Sequence, residues 1–217
     1  MNWVSERSIC PKCSHVLGAL DLIPVFSWLV FKGECRYCNN PISKRYPFIE
    51  ICTGFLAVGG YFILGLSIEF LFLLLMIPFL ISLLIVDFER MILPNQLVAI
   101  IAILGAARLF FLSNSIDVTP YIIAGFLYFF VAWGLRVFLS ILLKKEALGF
   151  GDVKFFFVVG LWLGIDVFSY FLILSGILAI GIGAVWKWMH GKDAFPFGPA
   201  LIVSFYALLL FEGSLVV

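Results

Sequence analysis

The sequence predicts an all-α fold: a polytopic membrane bundle of about seven transmembrane helices, preceded by a small N-terminal cytoplasmic zinc-binding segment. Three observations predict it. First, the 217 residues are 64% hydrophobic and only 12% charged, with a mean hydropathy of +1.16, whereas a soluble domain is about half apolar and about a quarter charged. One core cannot enclose that much apolar surface, so the surplus must face lipid. Second, the apolar residues fall into runs of about 20, the length of a helix that crosses a hydrocarbon core. Third, four cysteines stand as two Cys-x2-Cys pairs. The net charge of +1 supplies no basic field for nucleic acid.

Residues 1–46 contain no run long enough to span. Leu17–Phe31 is greasy, but Asp21 and Pro24 interrupt it, and it reads as an interfacial or packed segment. It is not a signal peptide, because no short apolar core follows a basic start. The expected division is therefore a cysteine segment at 1–46 and a helical bundle at 47–217. Within the bundle, polar punctuation marks helices near 48–66, 69–87, 96–112, 120–143, 154–164, 166–187 and 198–216. The fifth run is short and reads as a tilted, re-entrant or buried helix.

Basic residues orient this array, since cytoplasmic loops carry an excess of Lys and Arg. With seven crossings, one side receives residues 1–47, Arg90, the loop with Lys144, Lys145 and Lys154, and the loop with Lys187 and Lys192. Those stretches hold 12 of the 14 basic residues. The other side holds none, and Arg108 and Arg136 lie within helices. Six crossings would put Lys187 and Lys192 on the wrong face. The N-terminal segment is therefore expected in the cytoplasm.

Cys10-Pro-Lys-Cys13 and Cys35-Arg-Tyr-Cys38 are separated by 21 residues. Two such turns aim four thiolates at one point and suit a tetrahedral S4 zinc site. Two disulfides are the alternative, disfavoured in reducing cytoplasm. A closed four-thiolate site leaves no open position for water, which makes the metal structural. Cys52 reads as a small buried apolar residue, and His15 and His190 as surface positions.

Carboxylates at membrane depth are costly and mark functional candidates. Asp87 follows the run Phe79–Val86, and Asp152 closes Gly149-Phe-Gly-Asp before Phe155. The topology puts both at the cytoplasmic boundary. Two carboxylates in a partly desolvated site share a proton. One can then activate water while the other donates to a carbonyl oxygen. Gly149 and Gly151 would allow close approach to a peptide backbone, and Lys154 would either orient a carbonyl or anchor at the interface. The plainer alternative has Asp152 capping a helix and Asp87 pairing with Arg90. Glu50 is expected to line a polar cavity or pair with Arg45. Glu69, Asp117, Asp166 and Glu212 read as interfacial solvation.

Taken in order, Cys10–Cys13, Asp21-Leu-Ile-Pro-Val-Phe-Ser-Trp28, Gly33-Glu-Cys-Arg-Tyr-Cys38, Arg45-Tyr-Pro-Phe-Ile-Glu50, Asp87 ahead of Leu93-Pro94, Gly149-Phe-Gly-Asp152-Val-Lys154 and Phe195-Pro-Phe-Gly-Pro199 resemble the prepilin peptidases of the type IV leader peptidase kind. The resemblance spans nearly the whole chain. It implies a polytopic aspartic endopeptidase of the bacterial inner (plasma) membrane that removes basic leaders from type IV prepilins and pseudopilins on the cytoplasmic side. In many members N-methylation of the new N-terminus follows, with S-adenosylmethionine as donor; a peptidase without that activity is the alternative. Matched position by position, Asp87 and Asp152 correspond to the catalytic pair, and Cys10, Cys13, Cys35 and Cys38 to the zinc ligands. Family members usually begin with a further membrane helix, whereas only Met1–Ile9 precede Cys10 here.

Two other classes compete. A non-enzymatic docking or assembly module would depend on the zinc segment and not on the carboxylates. A transporter would place its acids near mid-membrane rather than at one face.

Overall fold

The structure, a computed structural model, describes residues 8–114, 116–144, 148–191 and 194–216, with side chains as far as Phe211. Arg7, Lys145, Lys192 and the Glu212 side chain, which entered the sequence reading, lie outside the described residues. The chain forms two compact units, Met1–Val58 and Gly59–Val217.

The first unit is built on two matching turns. An antiparallel bridge pairs Ile9 with Val16, and a second pairs Glu34 with Pro41. Inside the first, Cys10 N–H donates to His15 O and Ser14 N–H to Cys10 O, both at 2.9 Å. Inside the second, Cys35 N–H donates to Asn40 O and Asn39 N–H to Cys35 O, again at 2.9 Å. Each turn closes through a left-handed residue directly after its second cysteine, Ser14 at φ 57° and Asn39 at φ 54°. Asparagine adopts that region more readily than most residues.

The greasy run between the turns splits into a 3₁₀ turn at Ala19–Leu22 and a short helix α1 at Phe26–Val30. Pro24 separates them, and Asp21 fastens the first by accepting the Gly18 N–H at 2.9 Å. Trp28 fastens the second: its Nε1 donates to Ile42 O at 3.2 Å. Its indole also lies where a side chain on Gly33 would sit, 2.7 Å from an ideal Cβ. Glu50 has a partner that its sequence neighbourhood does not name. Its Oε2 accepts the Val25 N–H at 2.7 Å, tying α1 to the helix α2 at Arg45–Leu64.

Six further helices follow: α3 at Ile68–Arg90, α4 at Asn95–Leu112, α5 at Thr119–Leu143, α6 at Phe150–Leu163, α7 at Phe168–His190 and α8 at Gly198–Val216. With α2 they occupy the seven predicted places, and among the described residues no strand occurs. The protein is thus an all-α, multi-pass membrane protein. Five helices, α2 to α5 and α7, are long and apolar enough to cross a membrane.

The helix α6 differs from those five. At about 1.5 Å per residue it is roughly 21 Å long, short of a bilayer core of about 30 Å. Ten of its fourteen residues are buried, among them Trp162, Phe155 and Val159. Of the three alternatives open for this run, burial among neighbours is the one observed. Packing explains it. Gly160 brings α6 against α5 so closely that a Cβ there would meet Ala124 O at 2.6 Å. On the α4 side, Gly105 accommodates the Trp162 indole, whose Nε1 donates to Ile101 O at 3.2 Å. Such close backbone approach is how membrane helices gain packing energy when no hydrophobic drive separates helix from lipid.

One polar cluster crosses this packing. Arg108 on α4 forms an ion pair with Glu69 on α3, its Nη2 donating to Oε1 at 2.9 Å, and its Nη1 donates to Trp162 O at 3.1 Å. Glu69 is therefore not merely interfacial solvation. An arginine placed inside a span at high cost is neutralised there by a carboxylate on the neighbouring helix.

Candidate active site and metal centre

Asp87 lies in the last turn of α3, where Met91 ends the helix in the left-handed region with φ 54° and donates its N–H to Asp87 O. The side chain is 3% exposed. Its Oδ2 accepts the backbone N–H of Gly198, the first residue of α8, at 2.8 Å. The suggested pairing with Arg90 is thus replaced by a bond to a helix N-terminus, which favours a carboxylate. Gly198 is required sterically as well, since a Cβ there would sit 2.7 Å from Oδ2.

Asp152 lies inside α6, two residues after its start, rather than ahead of the helix. Its Oδ2 accepts the Gly149 N–H at 3.1 Å, so the capping role considered from sequence is present. The capping leaves Oδ1 for other work. A Cβ on Gly149 would press on this carboxylate at 2.9 Å, and one on Gly151 would meet the Leu93 backbone O at 3.0 Å. Gly149 thereby makes room for Asp152, and Gly151 seats α6 on the α3–α4 connection.

These groups converge. Asp87, Asp152, Gly149, Gly151 and Lys154 all line one cavity of about 280 Å³, with Leu93, Asn95 and Phe150 among its other walls. The charge of Asp87 acts on Asp152 across it. Lys154 Nζ donates to Asn95 Oδ1 at 3.0 Å and lies 4.8 Å from the Phe150 ring centroid. Two residues at the site, Gly198 and Asn95, were not singled out from sequence. Gly198 did carry a signal, because Gly-Pro after an apolar stretch marks a helix start, and it stands in the Phe195–Pro199 motif.

In the first unit, the Sγ atoms of Cys10, Cys13, Cys35 and Cys38 all lie within 4.8 Å of one another, and none is in a disulfide. Cys10 Sγ and Cys38 Sγ are 4.0 Å apart. Four sulfurs tetrahedrally placed about 2.3 Å from zinc would be separated by about 3.8 Å, so the donor set fits. Backbone N–H groups of Cys13 and Lys12 hold the Cys10 thiol down to about 6, and the Asn40 side chain and N–H lower that of Cys38. Against the pull of the His15 N–H, burial and the other thiols raise Cys13 to about 11. Ready thiolates are what a metal needs. Cys52 is half-buried and apart from this set. His15 stacks on Tyr37, and exposed His190 on Trp186.

Fold and site together define a polytopic α-helical membrane protein with paired, buried carboxylates and a separate four-cysteine centre. Residues 73–184 match the profile of the type IV leader peptidase family, and residues 1–64 match the bacterial peptidase A24 N-terminal domain. A protein of Aeromonas hydrophila named prepilin leader peptidase/N-methyltransferase is 34% identical over 99% of this chain and 74% of its own length. Proteins of the same name from Legionella pneumophila and Burkholderia pseudomallei are 32% and 30% identical, over 100% and 97% of this chain and 76% and 69% of theirs. The chain belongs to the type IV leader peptidase family. No solved structure matches it.

Proposed function

We propose that this protein is a prepilin peptidase, an aspartic endopeptidase that removes the leader from prepilins or pseudopilins, with Asp87 and Asp152 as its catalytic pair. The observation that carries the reading is the shared cavity, in which two buried carboxylates from different helices each accept a backbone N–H on one oxygen. That leaves the second oxygen of each for water and substrate.

The reaction follows from this arrangement. The ionised member takes a proton from a bound water as the water oxygen attacks the scissile carbonyl. The protonated member donates to the carbonyl oxygen, stabilising the tetrahedral intermediate. Collapse breaks the C–N bond: the departing nitrogen takes the proton held by the first carboxylate, and one hydroxyl of the diol returns its proton to the second, which re-forms the carbonyl and restores the pair. The hydrogen bonds from Gly198 and Gly149 preorganise the pair, so that little reorientation is needed as charge moves. Lys154, held by Asn95, lines the entry and orients the substrate backbone, together with Gly149 and Gly151.

In the same reading residues 1–46 form a zinc-binding segment and 47–217 the catalytic bundle. Zinc held by Cys10, Cys13, Cys35 and Cys38 is structural; it staples a segment too small to hold its own core. The asymmetry of basic residues supports an inner-membrane protein with its metal segment and both aspartates on the cytoplasmic side. N-methylation of the new terminus, with S-adenosylmethionine as donor, is the second activity carried by the relatives' names. Transfer of labelled methyl groups to a cleaved pilin tests it separately.

The decisive experiment is prepilin cleavage in membranes by Asp87→Asn and Asp152→Asn. Each is expected to lose about 10²- to 10⁴-fold in rate, the span of general acid–base contributions. Substantial activity in either variant refutes the assignment.

A further inference from the structure

The run Leu17–Phe31 reads from sequence as interfacial or packed, and the structure leaves most of its apolar side chains bare. Leu20 is 65% exposed, Phe26 61% and Leu29 62%, with Leu22 and Val30 about half exposed. Phe26, Leu29 and Val30 stand at positions i, i+3 and i+4 of α1 and so share one face. Ser27 and Trp28, between them, are half-buried, and Trp28 lies against Gly33 and donates to Ile42 O.

A contiguous apolar patch marks an interaction surface, and its height relative to the bilayer says what covers it. The same compact unit contains the first turns of α2, a helix long and apolar enough to cross a membrane. That helix starts at Arg45, preceded by Lys44, both exposed, and basic side chains at the end of a span stay at headgroup level. Glu50 lies five residues beyond Arg45, about 7.5 Å further along the helix axis. Its Oε2 accepts the Val25 N–H at 2.7 Å, and Val25 caps α1. The start of α1 is thereby held about 7.5 Å inside the headgroup level, within the depth of about 5–10 Å at which interfacial helices bury their apolar faces. Phe48 and Ile51, on either side of Glu50 in sequence, are exposed as well, so both helices present apolar surface at this height.

We propose that the segment Ala19–Val30 lies in the membrane interface, with Leu20, Leu22, Phe26, Leu29 and Val30 against lipid acyl chains, and moors the four-cysteine unit to the bilayer surface. The proposal goes beyond the peptidase reading and needs only that α2 crosses the membrane. Lipid is the occupant because the Glu50 bond keeps the patch below the headgroups, where a soluble partner does not reach. The same depth accounts for Glu50, a carboxylate that is costly inside a span unless a donor meets it. The mooring reaches the cysteines through short links. Gly33, which leads into the second cysteine turn, donates its N–H to Trp28 O at 2.7 Å, and Tyr37, inside that turn, donates its hydroxyl to Asp21 Oδ2 at 3.3 Å.

The test uses the full chain reconstituted in phosphatidylcholine vesicles at one copy per vesicle on average. Photoreactive benzoylphenylalanine replaces Phe26 in one protein, Leu29 in a second and, as the control, exposed Lys12 of the first cysteine turn in a third. Lipid adducts at Phe26 and Leu29 are expected at least fivefold above those at Lys12, and a smaller excess overturns the proposal. The same proteins at many copies per vesicle should keep their lipid adducts; a shift to adducts with a second chain overturns it too. If the substituted proteins fail to fold, hydroxyl-radical labelling of the unchanged chain at one copy per vesicle decides, read against Phe55 of the span, itself 76% exposed. Oxidation of Phe26 less than fivefold above that of Phe55 supports the interfacial seat, and a larger excess overturns it.

Discussion

Replacing Gly198 by alanine tests the proposed active-site geometry with a single methyl group. The added Cβ would lie 2.7 Å from Asp87 Oδ2, 2.9 Å from its Cγ and 3.0 Å from Leu93 Cδ2. The first two are closer than Cβ atoms come to their neighbours, and the third is tight. Asp87 is buried and Leu93 is packed, so either the carboxylate turns away or the start of α8 retreats, and in both cases the 2.8 Å bond from Gly198 N–H is lost. A hydrogen bond to a charged group contributes about 1.5–3 kcal/mol net. At about 1.36 kcal/mol per decade of rate, its loss corresponds to a fall of about 10- to 150-fold in kcat. The assay is prepilin cleavage by purified protein in proteoliposomes, beside a thermal melt. Gly176→Ala is the control, because nothing lies within 4 Å of its added Cβ. Wild-type kcat in Gly198→Ala would refute the reasoning.

Three further outcomes are expected. Gly160→Ala, whose Cβ would meet Ala124 O at 2.6 Å, should lower unfolding stability in detergent by about 1–3 kcal/mol, the usual cost of overpacking, while Gly134→Ala, with open space around it, should not. Glu69→Gln should cost about 3 kcal/mol by stranding Arg108, and Glu69→Gln combined with Arg108→Met should cost less than the sum of the two single changes; equal additivity would show that the two side chains do not act as a pair. Purified protein should hold one zinc per chain by elemental analysis; Cys35→Ser should lose it and open residues 8–42 to proteolysis, whereas metal-free protein with the same digestion pattern would argue against a structural role.

Much of this protein was legible along the chain because its strongest signals are one-dimensional. Apolar runs locate helices by length alone, and all seven predicted runs are helical, with ends displaced by up to four residues. The cysteine pairs were equally direct, since a Cys-x2-Cys turn needs only local hydrogen bonds to aim two thiols. Polar partnerships across the bundle were not legible. Glu69 and Arg108 stand 39 residues apart, and Asp87 and Gly198 are separated by 111. Nothing in either neighbourhood names its partner. Glu50 likewise meets a backbone N–H 25 residues earlier in the chain.

The sequence by itself determined that this is a membrane protein, how many apolar helices it has, which four thiols form a set, and which two aspartates to suspect. Those properties depend on composition and short spacing, and lipid solvent turns them directly into helices and turns. Only the tertiary structure decided that the shortest apolar run is the buried centre of the bundle. It alone put both carboxylates on one cavity, each held by a glycine N–H. The physical reason is that these features arise from side-chain volume where helices meet. A missing Cβ at Gly160, Gly151 or Gly198 sets how closely two backbones approach, and its partner surface lies on another helix.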